Sequence, residues 1–182
     1  IFPPPPIKSL ERLQASEGLL ITTERWQQTQ RYHRQRQSFQ FQALHQPGII
    51  CGLGVSVISA TNSDTVRYQD KRWLLQIQPG IAVDAMGNPI IMPQAEDFQL
   101  RSNLSTPGTV YLVLNYVDPD ELRYPANQYT VRETFRIVEK NSLDVQDVEL
   151  CRIRFDGGDL SPATDPLFPT VNELDQRHRL PV

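Results

Sequence analysis

Leu44-His45-Gln46-Pro47-Gly48-Ile49-Ile50-Cys51-Gly52-Leu53-Gly54-Val55-Ser56-Val57 is where the spacing of apolar residues changes. Before the Pro47-Gly48 turn the chain from about Thr23 contains neither Gly nor Pro, and Thr22-Thr23 supply candidate caps, so a helix is expected over 23–44. After the turn the period falls to two. Ile49, Cys51, Leu53, Val55 and Val57 share one parity, with Gly52, Gly54 and Ser56 on the other. This reads as a strand whose small reverse face lets another backbone, or the preceding helix, come close.

The pattern continues downstream. Trp73, Leu75 and Ile77 alternate with Leu74, Gln76 and Gln78 up to Pro79-Gly80. Ile81 to Asp84 and Ile90 to Met92 flank Met86-Gly87-Asn88-Pro89, the signature of a hairpin. Thr109 to Val117 is apolar at almost every position, as a central strand covered on both faces should be. Tyr129 to Ile137 alternates again. From Val148 to Phe155 the parity switches, Val148 and Leu150 against Cys151, Ile153 and Phe155, which a one-residue bulge near Leu150 would reconcile. The expected fold is mainly β, a sandwich or open barrel-like antiparallel sheet, with one long N-terminal helix; an α+β arrangement is the alternative.

Four segments follow. Residues 1–22 form an extended proline arm with a short helix over 9–16, residues 23–48 the long helix and its turn, and residues 49–156 the β domain. Residues 157–182 are loop-rich, with a short helix or coil over 171–177, and are expected to continue or to dock on a partner. Ile1 in place of Met implies a processed chain or the ordered part of something longer.

Composition bounds the function. A chain of 182 residues with 15 Pro and 9 Gly is one domain or at most two small ones, and a helical bundle is not expected. With 18 Lys and Arg against 21 Asp and Glu, the net charge of −3 offers no general attraction to nucleic acid. Apolar runs such as Val110 to Leu114 fall far short of the roughly 20 residues that cross a bilayer, so direct membrane insertion is not expected. Cys51 and Cys151 sit in strand-like patterns and read as buried small hydrophobes, consistent with a reducing, cytoplasmic location.

The helix is chemically unusual. At about 100° per residue, Trp26, His33, Phe41 and Leu44 fall in one sector and Tyr32, Phe39 and Ala43 in another. Gln27, Gln28, Arg31, Arg34, Gln35, Ser38 and Gln42 make up the remaining polar strip. One sheet face covers about a third of a helix, so an arc this wide calls for a second contact, such as another subunit. No Asp or Glu occurs between Arg25 and Ser63, and eight of the chain's 17 Gln lie between Gln27 and Gln46. Arg and Gln without acids suit a protein interface. Pro3 to Pro6, locked near polyproline II, should lie extended on a surface. The interface candidates are Phe2, Pro3 and Pro4 in the arm, with Trp26, Arg31, Tyr32, Arg34, Arg36, Phe39 and Phe41 in the helix.

Catalytic chemistry finds little purchase. The three histidines, His33, His45 and His178, match no metal-binding spacing, and two isolated cysteines complete no zinc set. Asp118, Asp120 and Glu121, and Asp156 and Asp159, read as solvated turns and do not match a calcium loop. Gly52-x-Gly54 lacks the third glycine of a dinucleotide site. No catalytic, cofactor-binding or metal residue is assigned, and an enzyme is not expected.

The run from Arg31-Tyr32-His33 through Leu44-His45-Gln46-Pro47-Gly48-Ile49-Ile50-Cys51-Gly52-Leu53-Gly54-Val55 resembles baseplate and accessory proteins of contractile phage tail-like injection systems. In these, a helix ends at a Leu-His-x-x-Gly turn and enters a Val/Ile-Cys-Gly-Leu strand. Ile77 to Ile91 is similar to their proline-glycine, apolar, aspartate, glycine hairpin, and Val110 to Tyr116, Arg132-Glu133 and Val148 to Ile153 look like their following strands. The Gln-rich helix and the proline arm depart from the pattern. The resemblance implies a structural subunit associated with the baseplate, in contact with other baseplate, sheath, tube or spike components of a free or membrane-attached particle. The alternative is a non-catalytic module binding a glycan or surface ligand through Tyr68, Trp73 and Tyr124.

Overall fold

The structure is a computed structural model, and it describes residues 2, 4–58, 74–101, 107–122, 130–158 and 160–182. Helix α1 spans Thr23–Leu44, as the absence of Gly and Pro implied. Thr22 is its N-cap, the hydroxyl accepting from the Arg25 N–H at 3.4 Å, and His45 ends it in extended geometry. Residues 9–16 carry no helix, so the two turns expected there do not form. Leu10 and Leu13, three apart, give too little apolar face to nucleate a helix.

The fold is mainly β with this one helix. Among the described residues ten strands form: β1 Gly48–Gly52, β2 Val55–Val57, β3 Leu74–Ile77, β4 Gly80–Val83, β5 Pro89–Met92, β6 Glu96–Gln99, β7 Gly108–Val117, β8 Thr134–Lys140, β9 Val148–Phe155 and β10 Leu174–Asp175. They form three antiparallel sheets in the orders β1-β4-β5, β2-β3-β6 and β10-β9-β7-β8. All three line one core, in which Leu53, Ile77, Ile90, Leu112, Leu150 and Ile153 are essentially sealed from solvent.

The ten-residue β7 is the central strand, flanked by β8 and β9, and Leu112, Val113 and Leu114 are buried at consecutive positions, so both faces are covered. The parity switch in β9 resolves as expected. Leu112 pairs with Cys151 and Val113 with Glu149, which leaves Leu150 as the extra residue of a bulge, and Val148, Leu150, Cys151 and Ile153 are all buried. The β4-β5 hairpin closes through Asp84, whose Oδ1 accepts from the N–H groups of Met86 and Asn88 at 2.9 and 2.8 Å.

Two expectations need correction. The strand from Ile49 to Val57 is two strands in different sheets. Gly52 (φ +67°) and Leu53 (φ +56°) turn the chain, while β4 and β3 make the matching change at Pro79-Gly80, so the paired ribbon rounds a corner. Cys51 is exposed, because the register shift between Ile49 and Cys51 leaves Ile50 unpaired and reverses the phase beyond it. The segment after residue 157 packs in part on its own chain. Leu174–Asp175 adds a strand to β9, Gln176 exchanges hydrogen bonds with the backbone of Val55, and Leu180 and Val182 bond to Ile49. The polar strand β6 had no apolar alternation to mark it.

The two thiols are expected to differ sharply in reactivity. Burial, helped by Glu149, pushes the Cys151 thiol up to about 12, while Cys51 lies open. A thiol reagent should label one site on the native chain and two on the unfolded chain. Equal labelling rates at both cysteines in the native state would contradict this packing.

Candidate functional site

Helix α1 lies across the β4-β5 turn with part of its polar strip turned inward. Arg34, Ser38 and Gln42, spaced i, i+4, i+8, meet the β body. Gln42 donates through Nε2 to the Met86 carbonyl. Gly87 abuts the helix backbone so closely that a Cβ there would fall 2.3 Å from the Ser38 oxygen. Arg34 reaches Asp118 at 3.5 Å and Asp120 at 2.5 Å, just beyond β7. Asp120 raises the Arg34 pKa, and burial raises that of the neighbouring Tyr116 phenol.

The arm runs antiparallel along the helix. Phe2, Pro4 and Pro5 line a hollow with Phe41 and His45, and Lys8, Ser9 and Glu11 lie beside Arg25, Gln28 and Tyr32. Between arm, helix and body a cleft of about 530 Å³ is lined by Pro6, Leu10, Arg31, Phe39, Met86 and Tyr116 among others. It is an open trough. Asp84 at its floor is saturated by its own turn, and burial raises its carboxyl pKa above the usual carboxylate range.

The apolar arc is what the chain leaves uncovered. No residue of α1 is buried. Trp26 is 58% exposed, Leu44 69% and Phe39 42%, with His33 and Arg36 also open. Tyr32, half-buried, stacks edge-on against His33 at 5.4 Å, and Phe41, half-buried, faces His45 at 5.9 Å. The interface candidates therefore separate. Trp26 and Arg36 are presented outward; Phe39, partly exposed, edges the cleft; Phe2, Pro4 and Arg31 share the arm contact; Arg34 is engaged by acids of its own chain. Pro3 lies outside the described residues, as do Tyr68, Trp73 and Tyr124.

The forces holding α1 to the body are weak. The Arg34 pairs are 39–70% exposed, and ion pairs of that kind contribute about 0–1 kcal/mol. Burying a Leu or Phe side chain contributes about 1.5–3 kcal/mol, and α1 buries none completely. With no residue fully buried, α1 draws little on the tertiary packing that supplies most helical stability in proteins.

A second feature had no apolar signal strong enough to mark it in the sequence. The loop from Thr164 to Asn172 displays Leu167 at 70% and Phe168 at 71% exposure, with Val171 at 44%. Buried Glu173 pins its base, accepting from the Thr164 N–H and hydroxyl at 3.1 and 2.7 Å and from the Thr170 N–H at 2.7 Å. Arg177 donates to the Leu167 carbonyl and Arg154 to that of Pro169, both at 3.1 Å. The only sequence sign is that five acids and no Lys or Arg occur between Phe155 and Gln176.

Among the described residues no three His, Cys, Asp or Glu side chains gather as a metal site, and no helix is long and apolar enough to cross a membrane. Comparison with protein-family models, curated proteins and solved structures finds no match to this chain.

Proposed function

We propose that this chain is a structural subunit of a contractile, phage tail-like injection particle, associated with the baseplate and acting through protein-protein contacts. The observation that supports this reading is the orientation of α1, with Arg34, Ser38 and Gln42 turned to its own body and Trp26 and Leu44 turned to solvent. A helix that attaches by polar contacts and exposes its aromatic residues gains most of its stability when a second surface covers it. The arm extends the same face, adding contact area without enlarging the core. The resemblance of residues 31–55 and 77–91 to baseplate-associated proteins supplies the particle.

The test is co-purification with the sheath, tube, spike and baseplate products encoded beside this gene. Wild type is expected to enter the assembled particle, and W26S/L44S, altered only at exposed positions, to be lost from it while unfolding at the wild-type temperature. Particles assembled by this gene cluster that lack the chain altogether would overturn the reading.

A further inference from the structure

Residues 176–182 close an edge that two sheets share. Among the described residues β1 and β2 are each the outermost strand of a sheet, and they meet at the Gly52-Leu53 corner. An outermost strand presents unpaired N–H and C=O groups that can pair with another chain. Residues 176–182 lie along this edge and answer those groups in turn. The Gln176 side chain serves Val55, donating to its carbonyl at 2.9 Å and accepting from its N–H at 3.3 Å. Arg179 donates to the Gly52 carbonyl at 2.8 Å. The Leu180 carbonyl accepts from the Ile49 N–H at 2.7 Å and the Val182 N–H donates to the Ile49 carbonyl at 3.2 Å, a parallel bridge between Ile49 and Pro181. Gly48 makes room for it, since a Cβ there would fall 2.2 Å from the Leu180 oxygen.

The outer side of the segment is blunted. Pro181 has no N–H to offer, and its carbonyl already accepts from the Gln46 side chain at 2.7 Å. Proline at an outermost position is one way in which sheets avoid pairing edge to edge.

The segment is also lightly held. It leaves β10, whose Leu174 and Asp175 are buried, and from Gln176 onward no residue is buried. Asp175 fixes the point of departure, accepting from the Arg177 N–H at 3.1 Å and from its guanidinium. Arg179, half-buried, pairs with no acid among the described residues. Gln176 and Gly52 take its two terminal nitrogens, and its Nε is enclosed without a partner. A buried donor left unpaired is unfavourable, so the closed segment carries a destabilising contribution of its own. Segments with few buried contacts and exposed hydrogen bonds open locally, well below the free energy of global unfolding.

We infer that residues 176–182 form a strap that opens as one unit from Asp175 and, while closed, keeps the shared edge of β1 and β2 from pairing with a second copy of the chain. The turn inside the strap, where the Arg179 N–H bonds to the Gln176 carbonyl at 3.3 Å, ties its two ends together. None of these contacts involves Trp26 or Leu44, so the strap and the proposed function stand or fall separately.

Amide hydrogen exchange on the full chain, read residue by residue, tests the strap. In wild type the Ile49, Val55 and Val182 amides are expected to share one opening equilibrium, with the amides of the central strand β7 far slower. R179A removes the bonds at the middle of the strap and Q46A, at an exposed position, only the one to Pro181. Each should speed all three amides together by about tenfold, roughly the effect of one lost hydrogen bond, and leave β7 unchanged. Sedimentation velocity over a concentration series should then show R179A associating more strongly than wild type, with the Ile49 amide protected again in the associated form. Where β7 exchange shows that R179A has disturbed the core, Q46A takes its place in this comparison. The strap is overturned as a unit if the three amides exchange at unrelated rates in wild type, or if the variants speed only the nearest amide or none. Its protective role is overturned if the opened variant sediments as wild type does, or associates with Ile49 left unprotected.

Discussion

Gly52→Ala is expected to lower the unfolding free energy by about 2–6 kcal/mol, from two separate effects. Gly52 sits at φ +67°, where an L side chain is strained by about 1–3 kcal/mol. A Cβ there would also fall 2.0 Å from the Pro79 oxygen and 2.8 Å from the Gly80 Cα, both backbone atoms. Overpacking of that kind costs roughly another 1–3 kcal/mol. The neighbour cannot yield cheaply, because the Pro79 carbonyl also accepts from the Leu53 N–H at 3.2 Å and the ribbon changes sheets at this corner. Gly54→Ala is the internal control, since its Cβ would meet only the Gln78 Cγ at 3.8 Å. Denaturant titration should show a large loss for the first and almost none for the second. Equal losses would remove the corner as the reason this strand breaks.

That corner marks the boundary of what the sequence could disclose. Where a local rule decides, the reading held. Thr22 caps α1, the run without Gly or Pro fixes its length, Met86-Gly87-Asn88 turns the hairpin, and the parity switch in β9 places its bulge at Leu150. Where a distant segment decides, it did not. Alternation from Ile49 to Val57 holds on paper, but the approach of Pro79-Gly80, nearly thirty residues away, bends the chain at Gly52 and turns Cys51 outward. The two-residue β10 exists because β9 offers it an edge.

The candidate interface was legible in the same divided way. Composition marked α1 as arginine-rich, free of acids and wide in its apolar arc, and the structure leaves Trp26, Phe39 and Leu44 open. Which strip meets the body was not legible, because it depends on Asp118, Asp120 and the Met86 carbonyl, placed there by the fold. Arg34 looked like its neighbours in sequence and is the one that the body claims. Leu167 and Phe168 stood in a Pro- and Asp-rich stretch that reads as a solvated loop. What sets them apart is the set of hydrogen bonds holding that loop's backbone, and residues from Arg154 to Arg177 supply it.

Acid should loosen this C-terminal segment across the window that separates the unfolded from the folded pKa values of two of its carboxylates. The Thr170 N–H and the Thr164 hydroxyl and N–H hold the Glu173 carboxyl down to about 2, and the Arg177 guanidinium does the same for Asp175. In an unfolded chain these groups titrate at about 4.3 and 3.9. With the folded values depressed, the unfolded state binds more protons between about pH 4.5 and 2. The stabilisation from both groups is therefore complete above that window and disappears as pH falls through it. Together they contribute roughly two protons to the slope of stability against pH. Asp84 acts in the opposite sense. Burial raises its pKa, so protonating it on acidification favours the folded state and offsets part of the slope. E173Q and D175N should each lose stability at neutral pH, flatten the slope between pH 4.5 and 2, and expose the 160–175 backbone to hydrogen exchange. Slopes identical to wild type in both variants would mean that neither carboxylate holds the segment, and the rigidity of the Leu167-Phe168 tip would then need another source.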